Sequence, residues 1–389
     1  MVTKIVNGVL VDHELKEGLS IYVKDGKMIA ITEQELPCDE IYDAKGCYVS
    51  AGFIDIHTHG GGGADVMDGT TEDVLTAAKM HLTHGTTSIF PTTVCSSVEQ
   101  SKTALNNIKD AMVFPTIRGA HMEGSFFDIK NCGAQNPDYI REINTEEIEE
   151  YLKTGIVKRI DFAPELSGSA EFAKYLTEKG VVSAVAHSGA FYEDVLPAYE
   201  QGCKLVTHLY SATSTVVRIG GFRHLGVIES AFLLDDMMVE VIADGLHLPI
   251  ELLQMIYKIK GVDKICMITD SMRAAGMPEG ESICGGKKEG MKCIVEDGVA
   301  KLPDRSAFAG SVATTDRLVR VVHKDAGIPL PETIQMMTEN PAKVMGLTTK
   351  GRLMEGYDAD LVIFDDNIQV KAVFVDGKLS VENGELKLS

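Results

Sequence analysis

Gly52-Phe53-Ile54-Asp55-Ile56-His57-Thr58-His59-Gly60 decides the reading of this chain. It opens as a short apolar run, the pattern of a buried strand, and stops at the glycines Gly60 to Gly63. Residues i and i+2 of a strand point to the same side. His57 and His59 can therefore reach one point in space, as two ligands of one metal ion must. The glycines let the backbone turn sharply beside them.

Working outward, the same design recurs. Short apolar runs alternate with longer helix-like stretches, the signature of a parallel sheet with helical crossovers. Eight runs qualify: Phe53–Ile56, Thr87–Pro91, Ile117–Met122, Arg159–Ala163, Val181–Ala186, Lys204–Thr207, Met238–Ala243 and Ile265–Thr269. Helical spacing marks Thr71–His84, Ser169–Lys179 and Pro249–Ile259. Eight β/α units predict a (β/α)8 TIM barrel, an α/β fold whose catalytic groups gather at the C-terminal strand ends. Polar residues follow the runs accordingly: His57 and His59, Glu123, His187, His208, Asp244 with His247, and Asp270. Ile283 to Pro303 reads as a β-like excursion between the eighth strand and its helix.

The two chain ends read differently. Leu19–Val23 and Met28–Ile31 flank Lys24-Asp25-Gly26-Lys27, a tight hairpin signal. Asp360–Phe364 and Val370–Val375 are strand-like too, and Asp376-Gly377 makes another turn. Neither end has strands enough for a sandwich of its own. They are expected to pair into one small β domain, residues 1–51 with 347–389, around a barrel of residues 52–346.

Composition excludes several classes. A formal net charge of −20 argues against nucleic acid, whose binding rests on Lys and Arg. It also means that an anionic substrate needs a local basic site. No apolar run approaches the ~20 residues of a membrane span, and Met1-Val2-Thr3-Lys4 lacks the apolar core of a signal peptide. The 8 cysteines are scattered without a CxxC, which suits reduced thiols in the cytoplasm.

Glu123, His187 and His208 each follow an apolar strand, and together they offer the nitrogen and carboxylate donors that suit zinc or a similar ion. Asp270, ending the eighth run, can hold a water and shuttle its proton. His13, His81, His84 and His323 fall in loops or helix-like segments and read as structural. His121 reads as packed, and His224 fits either role.

The order strand-His-x-His, Glu, His, His, Asp resembles the amidohydrolase superfamily. The local motifs resemble its N-acetylglucosamine-6-phosphate deacetylase family. They are Ala51–His59 with Ala51 in place of the usual Pro, His121–Phe126, His187-Ser188, Thr207–Thr213, Ile242–His247, Thr269–Gly276, Phe308–Ser311 and Gly356–Val362. The resemblance runs almost end to end. It implies metal-dependent hydrolysis of the N-acetyl group of N-acetyl-D-glucosamine 6-phosphate, giving D-glucosamine 6-phosphate and acetate.

It further implies that Glu123, His187 and His208 hold one divalent ion. His57 and His59 would hold a second, with Glu123 bridging and Asp270 contributing. Zinc comes first, with iron, manganese or cobalt as alternatives. Asp270 would activate the water and later protonate the leaving amine, and His247 would contact the substrate and polarise its carbonyl. The family's phosphate contacts map onto Gln135, Ser211, Ala212 and Arg223, the last lent across a homodimer interface. Here the chain departs from the pattern: Gln135 replaces a His, Ser211 an Asn, and Arg223-His224-Leu225-Gly226 an Arg-Glu-Pro-Gly segment. All three changes fall on sugar-phosphate contacts and none on the metal centre. N-Acetylgalactosamine 6-phosphate, or another N-acyl compound, therefore stays open as the substrate. A barrel kept only as a non-catalytic scaffold would lose metal residues, and none is lost.

Overall fold

The computed structural model describes residues 1–387. Eight parallel strands follow one another in space as they do in sequence. They are Phe53–Thr58, Thr86–Thr93, Ala120–Phe126, Val157–Phe162, Val182–Val185, Leu205–Val206, Met238–Ile242 and Ile265–Ile268. All eight overlap the expected runs; the third starts at Ala120 rather than Ile117 and runs on to Phe126, so that Glu123 lies within it rather than after it. The eighth strand returns to the first, where the Asp270 amide donates to the His57 carbonyl at 2.9 Å and the Thr269 hydroxyl donates to Asp55 at 2.5 Å. The barrel is thus nearly closed.

The crossovers obey local rules. In the helix Thr71–Thr83, the Thr70 hydroxyl caps the first turn by accepting from the Asp73 amide, and Glu72 and Asp73 favour the same positive end. Its buried residues are Val74, Ala77, Ala78, His81 and Leu82, spaced to lay one face on the strands. Helix Val98–Ala111 starts in a capping box between Ser97 and Gln100 and buries Ala104, Leu105, Ile108 and Ala111. Along the seventh strand, Val239 and Val241 join the apolar layer shared with these helices, while Met238 and Ile242 join a second cluster with Phe90, Ala184, Leu205 and Ile268. Alternation places Glu240 on the side of Met238 and Ile242.

The chain ends form two sheets. One holds Val2–Val6, Ser20–Lys24, Lys27–Thr32 and Glu40–Asp43. The other has seven strands and mixes the ends: Tyr48–Ala51 pairs antiparallel with Leu361–Phe364. Ile5, Ile21, Val23, Val49, Leu361, Ile363 and Phe374 share one apolar cluster. Both Asp-Gly turns have positive φ at each central residue, 49° and 77° at Asp25-Gly26 and 48° and 74° at Asp376-Gly377, as a tight hairpin requires. The excursion after the eighth strand is a three-stranded antiparallel sheet, Gly280–Cys284, Met291–Glu296 and Val299–Lys301. No helix among the described residues is long and apolar enough to cross a membrane.

Candidate metal centre

Four imidazoles and two carboxylates converge at the C-terminal ends of the strands. His57 and His59 leave the first strand with their Nε2 atoms 3.2 Å apart. His187 and His208, after the fifth and sixth strands, hold theirs at 3.2 Å as well. Glu123 lies between the pairs: its Oε1 is 3.0 Å from His187 and 2.9 Å from His208, and its Oε2 is 3.2 Å from His59. Asp270 Oδ1 sits 3.4 Å from His57 and 3.2 Å from His59.

Three of these residues share an unusual backbone. His187, His208 and Asp270 have φ of 46°, 29° and 45°. A non-glycine residue seldom adopts this left-handed region, and such conformations cluster at functional sites. Each lies just past its strand, where the turn swings the side chain toward the barrel axis.

The donor set fits divalent ions. Two nitrogens about 2.0 Å from one tetrahedral ion stand about 3.3 Å apart, close to the spacing within each histidine pair. Two sets of three residues bring their donor atoms within 4.8 Å of one another, His57 with His59 and Glu123, and Glu123 with His187 and His208. No Lys or Arg pairs with Glu123 or Asp270 among the described residues; imidazoles do. Burial pulls the His59 imidazole down, but Asp270 and Glu123 outweigh it and push it up to about 10. His57 is raised in the same way by Asp270 and Glu123 against its burial. Burial pushes Asp270 up, yet His57 and His59 win and lower it to about 2. The field that draws protons to these imidazoles draws a metal cation equally.

The centre opens into a cavity of about 1100 Å³, lined by His59, Glu123, His187, His208, His247 and Asp270 together with Gln135, Ser211 and Ala212. His57 is fully buried behind it. His247 is fixed from behind, its Nδ1 2.8 Å from Asp244 Oδ2 and its ring 4.9 Å from that of Phe308. Gln135 donates from Nε2 to Glu123 Oε2 at 2.6 Å and accepts from the Cys95 amide at 2.8 Å. It thus braces the shared carboxylate as well as facing the cavity. Arg223 does not line the cavity of its own chain. It lies opposite Arg218 on an exposed hairpin, Val217–Ile219 and Phe222–His224, and among the described residues its side chain bonds only the Gly221 carbonyl.

Of the remaining histidines, His121 comes up against the centre, its ring edge-on to that of His57 with centroids 4.6 Å apart. His81 is buried against the Gly60 carbonyl, and His13, His84 and His323 meet Glu339, Asp316 and the Ile328 carbonyl. The His224 ring lies 5.5 Å from Phe191. His121 is packed, as expected, but polar on both sides: Nε2 is 2.9 Å from Asp161 and Nδ1 3.1 Å from the Thr92 hydroxyl. Glu240, Arg159 and Asp161, all fully buried beneath the centre, are not among the residues expected from the sequence. A signal for them exists, since each is a charged residue inside an otherwise apolar strand run.

A parallel eight-stranded barrel carrying His-x-His, Glu, His, His and Asp at or near the ends of its first, third, fifth, sixth and eighth strands defines a metal-dependent hydrolase of one class. The chain belongs to the amidohydrolase family, whose model matches residues 48–380. It is 33% identical to the N-acetylglucosamine-6-phosphate deacetylase of Lysinibacillus sphaericus over 94% of each chain. It is 30% identical to an N-acetylgalactosamine-6-phosphate deacetylase of Shewanella, over 95% of this chain and 94% of that one. Among solved structures, the N-acetylglucosamine-6-phosphate deacetylase of Pasteurella multocida superposes with a TM-score of 0.91 at 28% identity, covering 98% of this chain and all of the other.

Proposed function

We propose that this enzyme hydrolyses the N-acetyl group of N-acetyl-D-glucosamine 6-phosphate, releasing acetate and D-glucosamine 6-phosphate. The observation that carries the reading is the convergence of His59, Glu123, His187, His208 and Asp270 at the floor of one cavity, with His57 just behind it and His247 on its wall. Glu123, His187 and His208 would hold one ion, and His57, His59 and Glu123 a second, with zinc best suited to these donors. A divalent ion there supplies Lewis acidity, acidifying water and polarising an acyl oxygen.

The chain's own groups do the rest. Asp270, its Oδ1 3.4 Å from His57 and 3.2 Å from His59, is the carboxylate at the edge of the centre that can take the proton of the attacking water. A C–O bond forms, and Asp270 then returns the proton to the amide nitrogen as the C–N bond breaks. His247 anchors Nδ1 on Asp244, which leaves its Nε2 to meet a substrate oxygen in the cavity. Ser211, Ala212 and Gln135 line the substrate's side of the cavity.

The phosphate needs a cation that this chain's own cavity wall does not take from Arg223. The hairpin bearing Arg218 and Arg223 also exposes Val217, Ile219 and Phe222, the last 76% exposed. An apolar hairpin tipped with arginine suits a homodimer in which Arg223 reaches the partner's cavity, forking onto phosphate oxygens. All eight cysteines are free, which fits a reducing cytoplasm.

The Shewanella relative favours a second reading, N-acetylgalactosamine 6-phosphate as substrate. Acetate release by metal-reconstituted protein, across both sugar phosphates and both free sugars, decides between them. Highest kcat/KM on N-acetylglucosamine 6-phosphate is expected. Higher kcat/KM on the galactose epimer would install the second reading, and no acetate from any of the four would sink both.

A further inference from the structure

The four histidines of the centre are not backed alike. His59 Nδ1 lies 3.2 Å from the Thr92 carbonyl and His187 Nδ1 3.0 Å from the Asn131 carbonyl. His208 Nδ1 is buried with no partner. His57 Nδ1 alone faces a carboxylate, Glu240 Oε2 at 3.4 Å. Both side chains are fully buried.

Glu240 is itself clamped. Arg159 donates from Nη2 to Glu240 Oε2 at 3.1 Å and from Nη1 to Glu240 Oε1. The same guanidinium donates to Asp161 at 2.7 and 2.9 Å and to the Thr207 hydroxyl at 2.8 Å. One arginine therefore faces two carboxylates, leaving one net negative charge walled inside the barrel under His57. Burying such a group without full compensation is costly. A fold that needed only to neutralise Arg159 could have used Asp161 alone.

We infer that Glu240, aimed by Arg159, is a positioning residue for the His57–His59 half of the metal centre. A carboxylate at Nδ1 accepts its proton, fixes the tautomer with Nε2 free, and raises the basicity of that nitrogen. The inference rests on the two-ion reading above. Its consequence is selectivity: Glu240 governs the ion at His57 and His59 and not the one at Glu123, His187 and His208.

The test is a metal titration of the full-length apoprotein with Zn(II), with elemental analysis of the saturated protein and calorimetric affinities for each ion. Wild type is expected to take two ions. Glu240→Gln, close in shape but uncharged, should weaken one ion about tenfold to a hundredfold, the usual range for such outer partners, and leave the other unchanged. In a His57→Asn background Glu240→Gln should have no further effect on metal content. Two ions at wild-type affinity in Glu240→Gln, or equal weakening of both, overturns the inference while the two-ion reading stands. One ion in wild type overturns both. Should Glu240→Gln not fold, Glu240→Asp keeps the charge and shortens the arm by one methylene. A selectively weakened second ion supports the inference there, and two ions at wild-type affinity overturn it.

Discussion

At the scale of single residues, the centre works by placing charge where water cannot screen it. Asp270 is the group poised to move a proton, because its carboxylate lines the cavity beside both histidines of one ion site. Asp270→Asn should keep most of the metal, since His57, His59, Glu123, His187 and His208 remain, but should cut kcat on the order of 10²-fold or more through loss of a positioned proton carrier. Elemental analysis beside steady-state kinetics checks it, and near-full turnover would remove Asp270 from its role. Gln135 belongs to the same scale. Its amide braces Glu123 Oε2 while its oxygen takes the Cys95 amide. Gln135→Leu leaves both buried groups without those partners, at about 1–3 kcal/mol each. It is expected to lower the melting temperature of the apoprotein and weaken metal retention in dialysis against a chelator.

At the scale of elements, the first strand is the piece that cannot shift. It carries both histidines of one ion site, and its approach to the second strand is set at Gly52. A Cβ on Gly52 would stand 2.0 Å from Thr87 Oγ1 and 2.7 Å from Thr87 Cβ. A rotamer change can move the hydroxyl but not the Cβ, so the two strands would have to part. Gly52→Ala is therefore expected to destabilise the fold by about 1–3 kcal/mol, the usual cost of overpacking, read as a lower midpoint in urea unfolding. An unchanged midpoint would mean that the strands yield freely there. Left-handed backbone at His187, His208 and Asp270 makes the opposite point: the strands stop, and the residue that follows is turned into the site by its surroundings.

At the scale of the whole molecule, the question is how an acidic chain with net charge −20 holds a phosphate dianion. Lys287 and Lys288 line the cavity of their own chain, whereas the hairpin arginines sit outside it and could reach only the cavity of a second copy. Arg223→Ala should raise KM for N-acetylglucosamine 6-phosphate far more than for N-acetylglucosamine. Mixing Arg223→Ala chains with Asp270→Asn chains should restore activity on the phosphorylated sugar, because half of the sites in a mixed dimer then pair an intact Asp270 with an intact partner arginine. No recovery in mixtures shown by sedimentation to exchange subunits would place the phosphate contact within one chain.

Much of this architecture is legible in the amino-acid sequence. The eight strands can be read because each is a short apolar run between helix-length segments, and the metal residues because each sits at the end of such a run. Periodicity is a local property, and so is the distance from a strand to the residue that follows it. The hairpin turns at Asp25-Gly26 and Asp376-Gly377 are legible for the same reason. The partners are not. Glu240 meets His57 across 183 positions, and Gln135 reaches back to Glu123 through a loop. Nothing in the alternation of one strand says which residue of a distant strand its inward side chain will face. His121 reads as merely packed, and only the tertiary structure shows its Nε2 set 2.9 Å from Asp161. The sequence by itself determined the barrel and the kind of atoms at its mouth, since both follow from local pattern. The tertiary structure alone decided which carboxylate backs which histidine, and that Arg223 lies outside the cavity of its own chain. Those relations exist only once the strands have closed and their side chains compete for one interior.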